Sequence, residues 1–199
     1  MKNILFALFI SISVTQAQDL IYTYIETKIG DQSWMYKNLD ITFFRNGDEI
    51  PEAKTIEEWK ALSDAGKPAW CYYQNFPDNN SKYGKIYNWY AVADPRGLAP
   101  EGWHVASEEE WTIMEKYLVT TAKKNLKPNE SWSVFTEYLG GFRDYGGPFN
   151  GESSLSMWWT STVLENEEIR TILLSSSDKS LTKLSLSKEN GFYVRCIKD

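Results

Sequence analysis

Thiols, imidazoles and paired carboxylates carry most enzymatic chemistry, and this chain holds few of the first two. It has two cysteines, Cys71 and Cys196, and one histidine, His104. His104 lies between Trp103 and Val105 on an apolar run. A histidine so placed is expected to be a hydrogen-bonded core residue rather than a general base. With one histidine and both cysteines otherwise engaged, a histidine-rich metal site is excluded. Asp78-Asn79-Asn80, and Asp144 with Asn150 and Glu152, are oxygen-rich turns with the donor type that calcium takes. They read as solvated turns, and no metal or cofactor is expected. Two carboxylates acting together in glycoside hydrolysis would be set by the fold rather than by spacing, so that reading stays open.

An even number of cysteines in an exported chain favours a disulfide, here Cys71–Cys196, with free core thiols or a redox pair as the alternatives. Closing so long a loop would contribute about 4 to 5 kcal/mol by chain entropy. Nine tryptophans and twelve tyrosines either fill space in a loop-rich domain or build a sugar-stacking surface. Tyr145, Phe149, Trp158 and Trp159 border the glycine-rich loops, and with Arg143 they are the candidate ligand-binding residues. Arg143 and Arg195 each stand beside aromatic residues, where a guanidinium stacks on a ring or pins a carboxylate across the core.

The elements that must position these groups begin after residue 17. Residues 1–17 have a basic start, a short apolar centre and small residues at Thr15 and Ala17, the pattern of a cleaved secretory signal. Residues 18–199 then form one domain, exported to the periplasm, the cell surface or the medium. No later run is long and apolar enough for a membrane span once the signal is removed. The excess of 27 acidic over 21 basic side chains argues against a nucleic-acid partner.

Residues 20–29 and 33–35 read as a hairpin around Gly30-Asp31-Gln32, with Trp34 pointing inward. Thr55 with Glu58, and Ser107 with Glu110, have capping-box spacing, and Trp111, Met114 and Leu118 make an apolar stripe on the second of these helices. Residues 83–93 fit a helix sunk in the core and ending before Asp94-Pro95. Residues 69–73 read as a buried strand, 123–131 as an exposed loop, and the last third as strands with long connections. At the end, Phe192, Val194 and Cys196 alternate with Tyr193, Arg195 and Ile197, and the first three are expected on the buried face.

Ordered motifs carry a resemblance. Ile29-Gly30-Asp31-Gln32-Ser33-Trp34-Met35 with Asn38-Leu39 comes first, followed by Tyr83-Gly84-Lys85-Ile86-Tyr87-Asn88-Trp89-Tyr90-Ala91-Val92 and Gly102-Trp103-His104-Val105 with Glu110-Trp111. Gly140-Gly141-Phe142-Arg143, Trp158-Trp159-Thr160-Ser161 and Gly191-Phe192 with Val194-Arg195-Cys196 complete the set. In this order they resemble the secreted Fibrobacter succinogenes major paralogous domain family, except that Ala106 stands where that family commonly has proline. More distantly the order is similar to the formylglycine-generating sulfatase-modifying domains. That likeness implies an α+β, C-type-lectin-like fold with two main helices, small twisted antiparallel sheets and long loops. It also implies a structural bridge for Cys196, and, with no second cysteine pair present, it argues against their oxidation chemistry. The calcium-binding tripeptides of lectins with this fold, Glu-Pro-Asn and Gln-Pro-Asp, are missing.

The expected function is therefore a non-enzymatic binding or structural module, with a glycan or a cell-surface protein as its partner. The alternative is a carboxylate-dependent glycan hydrolase.

Overall fold

The computed structural model describes residues 25–122, 132–137, 139–165, 168–177 and 180–199. The expected signal segment and the expected loop at 123–131 lie outside them. Strands β1 (Glu26–Ile29) and β2 (Gln32–Met35) form the hairpin read from the sequence. Gly30 turns it with φ +63°, and Trp34 is fully buried.

The strands that follow are β3 (Trp70–Cys71), β4 (Ile86–Tyr87), β5 (Trp103–Val105), β6 (Gly140–Arg143) and β7 (Phe149–Glu152). They continue with β8 (Leu155–Val163), β9 (Ile169–Ser175), β10 (Leu181–Leu186), β11 (Tyr193–Val194) and β12 (Cys196–Lys198). Helices are α1 (Ile56–Asp64), α2 (Asn80–Tyr83), α3 (Trp89–Val92), α4 (Glu108–Thr121) and α5 (Ser133–Thr136). One sheet runs β1-β2-β12-β5, a larger one runs β10-β9-β8-β6-β7 with β11 parallel to β8, and β3 pairs with β4. No described helix is long and apolar enough to cross a membrane.

This layout corrects the expected C-type-lectin-like arrangement of two main helices with small sheets. The chain is sheet-rich, and the larger sheet curls into a half-barrel. Among the described α-helices only α4, with 14 residues, exceeds the nine of α1, and the others are four-residue turns. Residues 83–93 show why. Gly84 leaves helical geometry at φ +77°, Ile86 and Tyr87 pair with Cys71 and Trp70, and the helix restarts for one turn after Asn88. Fully buried Asn88 accepts from the backbone N–H groups of Ala69 and Ala91 and donates to the Lys67 carbonyl. A short apolar run buried on all sides has no period by which strand and helix can be told apart.

The capping signals are where the sequence places them. Ser107 and Glu110 close a complete capping box on α4, whose Trp111, Met114 and Leu118 are fully buried. On α1, Thr55 accepts from the Glu58 N–H, but the Glu58 carboxylate takes the N–H of Lys54 rather than that of Thr55.

The core has two compartments, separated by β8 and the closing strands. Trp158 enters one, where it meets Trp111 at 5.4 Å and Phe135 at 6.3 Å, with Trp34 5.0 Å from Trp111. Trp159 enters the other, 4.4 Å from Phe192 and 5.5 Å from Trp89. The closing strands obey the same parity. Phe192, Val194 and Cys196 face the second compartment, while Tyr193 and Ile197 face the first. The expectation of one buried face is thus corrected to two, because these strands have core on both sides.

The expected Cys71–Cys196 disulfide is corrected too: both residues are free thiols. Cys71 pairs with β4 and packs in the first compartment, while Cys196 lies between β2 and β5 in the four-stranded sheet and packs in the second. Burial pushes the Cys71 thiol up to about 11, against the pull of nearby Arg143, and raises Cys196 further still. Both are inert, neutral core side chains at ordinary pH.

Candidate functional site

Arg143 ends β6 with no exposed surface. Its guanidinium reaches three separate loops. Nη2 donates to the Thr55 carbonyl at 2.9 Å, and Nη1 to the Ala53 carbonyl at 3.4 Å and to Asn75 Oδ1 at 3.3 Å. Nε donates to the Gly147 carbonyl at 3.2 Å, and the guanidinium lies between the rings of Trp59 at 4.6 Å and Phe149 at 4.8 Å. The four oxygens are three carbonyls and an amide, none of them a carboxylate. This is stacking and backbone tethering rather than an ion pair across the core.

Each tethered loop presents one large apolar side chain to solvent next to its tether. Ile56, 45% exposed, follows Thr55; Phe76, 56% exposed, follows Asn75; Tyr145, 59% exposed, lies in the turn that Gly147 closes. Local structure fixes all three. Ile56 is the first residue of α1, beyond its Thr55 cap. Gly147, at φ +105°, makes room for it: a Cβ there would stand 2.5 Å from Ile56 Cγ2. The Tyr145 turn is held by Asp144 N–H to the Pro148 carbonyl at 2.8 Å, Gly147 N–H to the Asp144 carbonyl at 2.8 Å and Tyr145 N–H to Asn190 Oδ1 at 3.0 Å. Before Phe76, Gln74 and Asn75 are both left-handed, at φ 55° and 54°. Consecutive left-handed residues other than glycine cost energy, and such strain collects at working surfaces. Arg143 holds this pair through the Asn75 side chain, and the Tyr73 ring beneath packs on Phe149 at 5.2 Å.

Of the candidate residues read from the sequence, Tyr145 is at this surface, Phe149 is half-buried below it and Arg143 is the buried tether. Trp158 and Trp159 are removed from it, fully buried in the two compartments. Ile56, Gln74, Asn75 and Phe76 were missed; only the Thr55 cap, which puts Ile56 at an exposed helix start, gave a signal for any of them.

The oxygen-rich turns spend side-chain atoms internally. Asp144 Oδ1 accepts from the Gly146 N–H, Glu152 Oε1 from the Tyr83 hydroxyl and Asn80 Oδ1 from the Lys85 ammonium, while the Asn79 amide donates to the Tyr73 carbonyl. Among the described residues no group of three or more His, Cys, Asp or Glu side chains could hold a metal ion.

His104 is not the core residue expected. Its side chain is 42% exposed on β5, with Nε2 at 2.7 Å from Glu110 Oε1 and Nδ1 at 2.6 Å from Asp199 Oδ1.

In comparison with known proteins, the family model described as the Fibrobacter succinogenes major domain matches residues 27–198. No curated protein and no solved structure matches the chain.

Proposed function

Since the chain belongs to the Fibrobacter succinogenes major domain family, we propose that it is an exported, non-enzymatic module that binds a glycan on the three loops tied by Arg143. One observation carries this reading: the loops bonded to a single buried guanidinium each expose a large apolar side chain, Ile56, Phe76 and Tyr145. Aromatic faces take up the C–H faces of a sugar ring, and exposed polar groups next to them serve its hydroxyls. Gln74 beside Phe76 and Glu57 beside Ile56 are such groups, both exposed. The surface is preorganised, because the tethers order the loops before any ligand arrives.

Support against chemistry at this surface comes from where the reactive groups are. The Cys71 thiol is beneath it but buried and held protonated, and His104 is engaged by two carboxylates.

The test is an array of neutral oligosaccharides and peptidoglycan fragments probed with the wild-type protein and with Tyr145→Ala. The reading expects one glycan class to be retained, with affinity about tenfold weaker in the variant, the worth of one stacked ring. Retention of no glycan, or retention unchanged by Tyr145→Ala and by Phe76→Ala, would overturn it.

A further inference from the structure

We propose that His104 is a protonation-dependent clasp that fastens the end of the last strand to the start of α4. The sole histidine lies on β5 opposite Ile197 of β12, and both of its ring nitrogens meet carboxylates that belong to other parts of the fold. Glu110 is on the first turn of α4; Asp199 follows β12 and donates its N–H to the Gly102 carbonyl at 3.1 Å. Only an imidazolium donates from both nitrogens at once, so the two bonds at 2.7 and 2.6 Å define the closed state as the charged one.

The clasp shares a residue with the helix cap. Glu110 gives Oε1 to His104, while its Oε2 accepts from the Ser107 N–H at 2.7 Å and the Ser107 hydroxyl at 2.9 Å. Protonated His104 therefore holds in place the carboxylate that closes the capping box. A neutral imidazole keeps one donor, so either Asp199 or Glu110 then faces a lone pair and is repelled.

Of the other charged groups on the packed elements, Glu109 and Lys116 of α4 are exposed, Glu115 accepts from the Leu181 N–H, and the rest are paired. On β12, Lys198 pairs with Glu26 at 2.9 Å; on α4, Glu108 pairs with Arg170 and Lys183. Arg45 is bonded to the carbonyls of Ala99, Pro100 and Trp103. Partial burial pulls the histidine down, but the bonds to Asp199 and Glu110 outweigh it, and the net shift is upward from 6.5. The sign follows from linkage. A group whose folded value is raised contributes stability that is fully present below 6.5 and is lost as pH rises through the folded value. The clasp is closed where the imidazole is protonated and the Glu110 carboxylate, itself held below its ordinary value, is still charged, and it opens toward alkaline pH.

A single histidine makes the test unambiguous. Imidazole nitrogen NMR of the full chain reads its titration, and amide exchange reads the strand end and the helix cap. The expected result has three parts. The wild-type midpoint lies above 6.5, Asp199→Asn shifts it down toward 6.5, and amide protection at residues 107–110 and 197–199, taken relative to the intrinsic base-catalysed rate, falls as pH rises through the wild-type midpoint. In His104→Gln, protection at those residues is low at every pH. A wild-type midpoint at or below 6.5, or protection in both variants with the wild-type pH dependence, would overturn the clasp. Asp199 is 58% exposed, so Asp199→Asn leaves the fold intact and keeps the test decisive if His104→Gln does not fold.

Discussion

Replacing Arg143 with methionine keeps much of the side chain's bulk and removes every donor, so it isolates the tether. The bonds to the Gly147 and Ala53 carbonyls are buried, whereas those to Thr55 and Asn75 are partly so. A buried acceptor left without a partner costs about 1–3 kcal/mol, while the two at the edge can turn to water. Loss of the cation–π contacts with Trp59 and Phe149 adds about 1 kcal/mol. Removing a desolvated charge returns part of this, as swaps of buried ions for apolar groups show. The balance is a destabilisation of about 3 kcal/mol, or roughly 6–12 °C in Tm for a domain of this size. Urea unfolding followed by tryptophan fluorescence measures it, with amide exchange at residues 53–56, 74–76 and 144–147 as the local readout. Arg143→Lys should lose nearly as much, because one ammonium cannot span three loops. A loss below about 1 kcal/mol, with exchange in the three loops unchanged, would refute the tether.

Gly141 has φ +72°, and a Cβ there would stand 2.1 Å from the Asn150 carbonyl oxygen and 3.0 Å from the Glu152 nitrogen, both backbone atoms. Gly141→Ala should therefore abolish soluble expression or cost more than about 4 kcal/mol in urea. Gly146→Ala, whose nearest neighbours lie at 3.5 and 3.7 Å with no positive φ, should be well tolerated. Ser107→Ala removes the α4 cap and should cost about 1 kcal/mol by the same assay. Thiol titration should count two free thiols in denaturant without reductant and none reactive in the native protein, and reductant should leave Tm unchanged.

Local physics was legible in the sequence. The β1–β2 hairpin, the caps at Thr55 and Ser107 and the Trp111-Met114-Leu118 stripe each rest on residues a few positions apart. What failed depends on where distant segments meet. A run such as residues 157–160 shows aromatic content but not that both faces of its strand are covered, so it marks Trp158 and Trp159 as ligand candidates while the fold sends them into opposite compartments. An oxidising environment and an even count favour pairing the two cysteines, but the sheets to which they belong keep them apart. Arg143 was placed rightly beside aromatic rings. Its tethers to Ala53, Thr55 and Asn75, however, cross 90, 88 and 68 residues of sequence, and no periodicity reports contacts of that span. The apolar neighbours of His104 suggest an inward side chain, but strand alternation puts it on the opposite face from Trp103 and Val105.

The most direct measurement is an amide-shift map of the wild-type protein titrated with the oligosaccharide that it retains best on the array. Binding on the tethered loops predicts that residues 55–57, 74–76 and 144–148 shift together and saturate with one dissociation constant. Shifts confined to any other surface, for instance the exposed side of α4, would contradict the account.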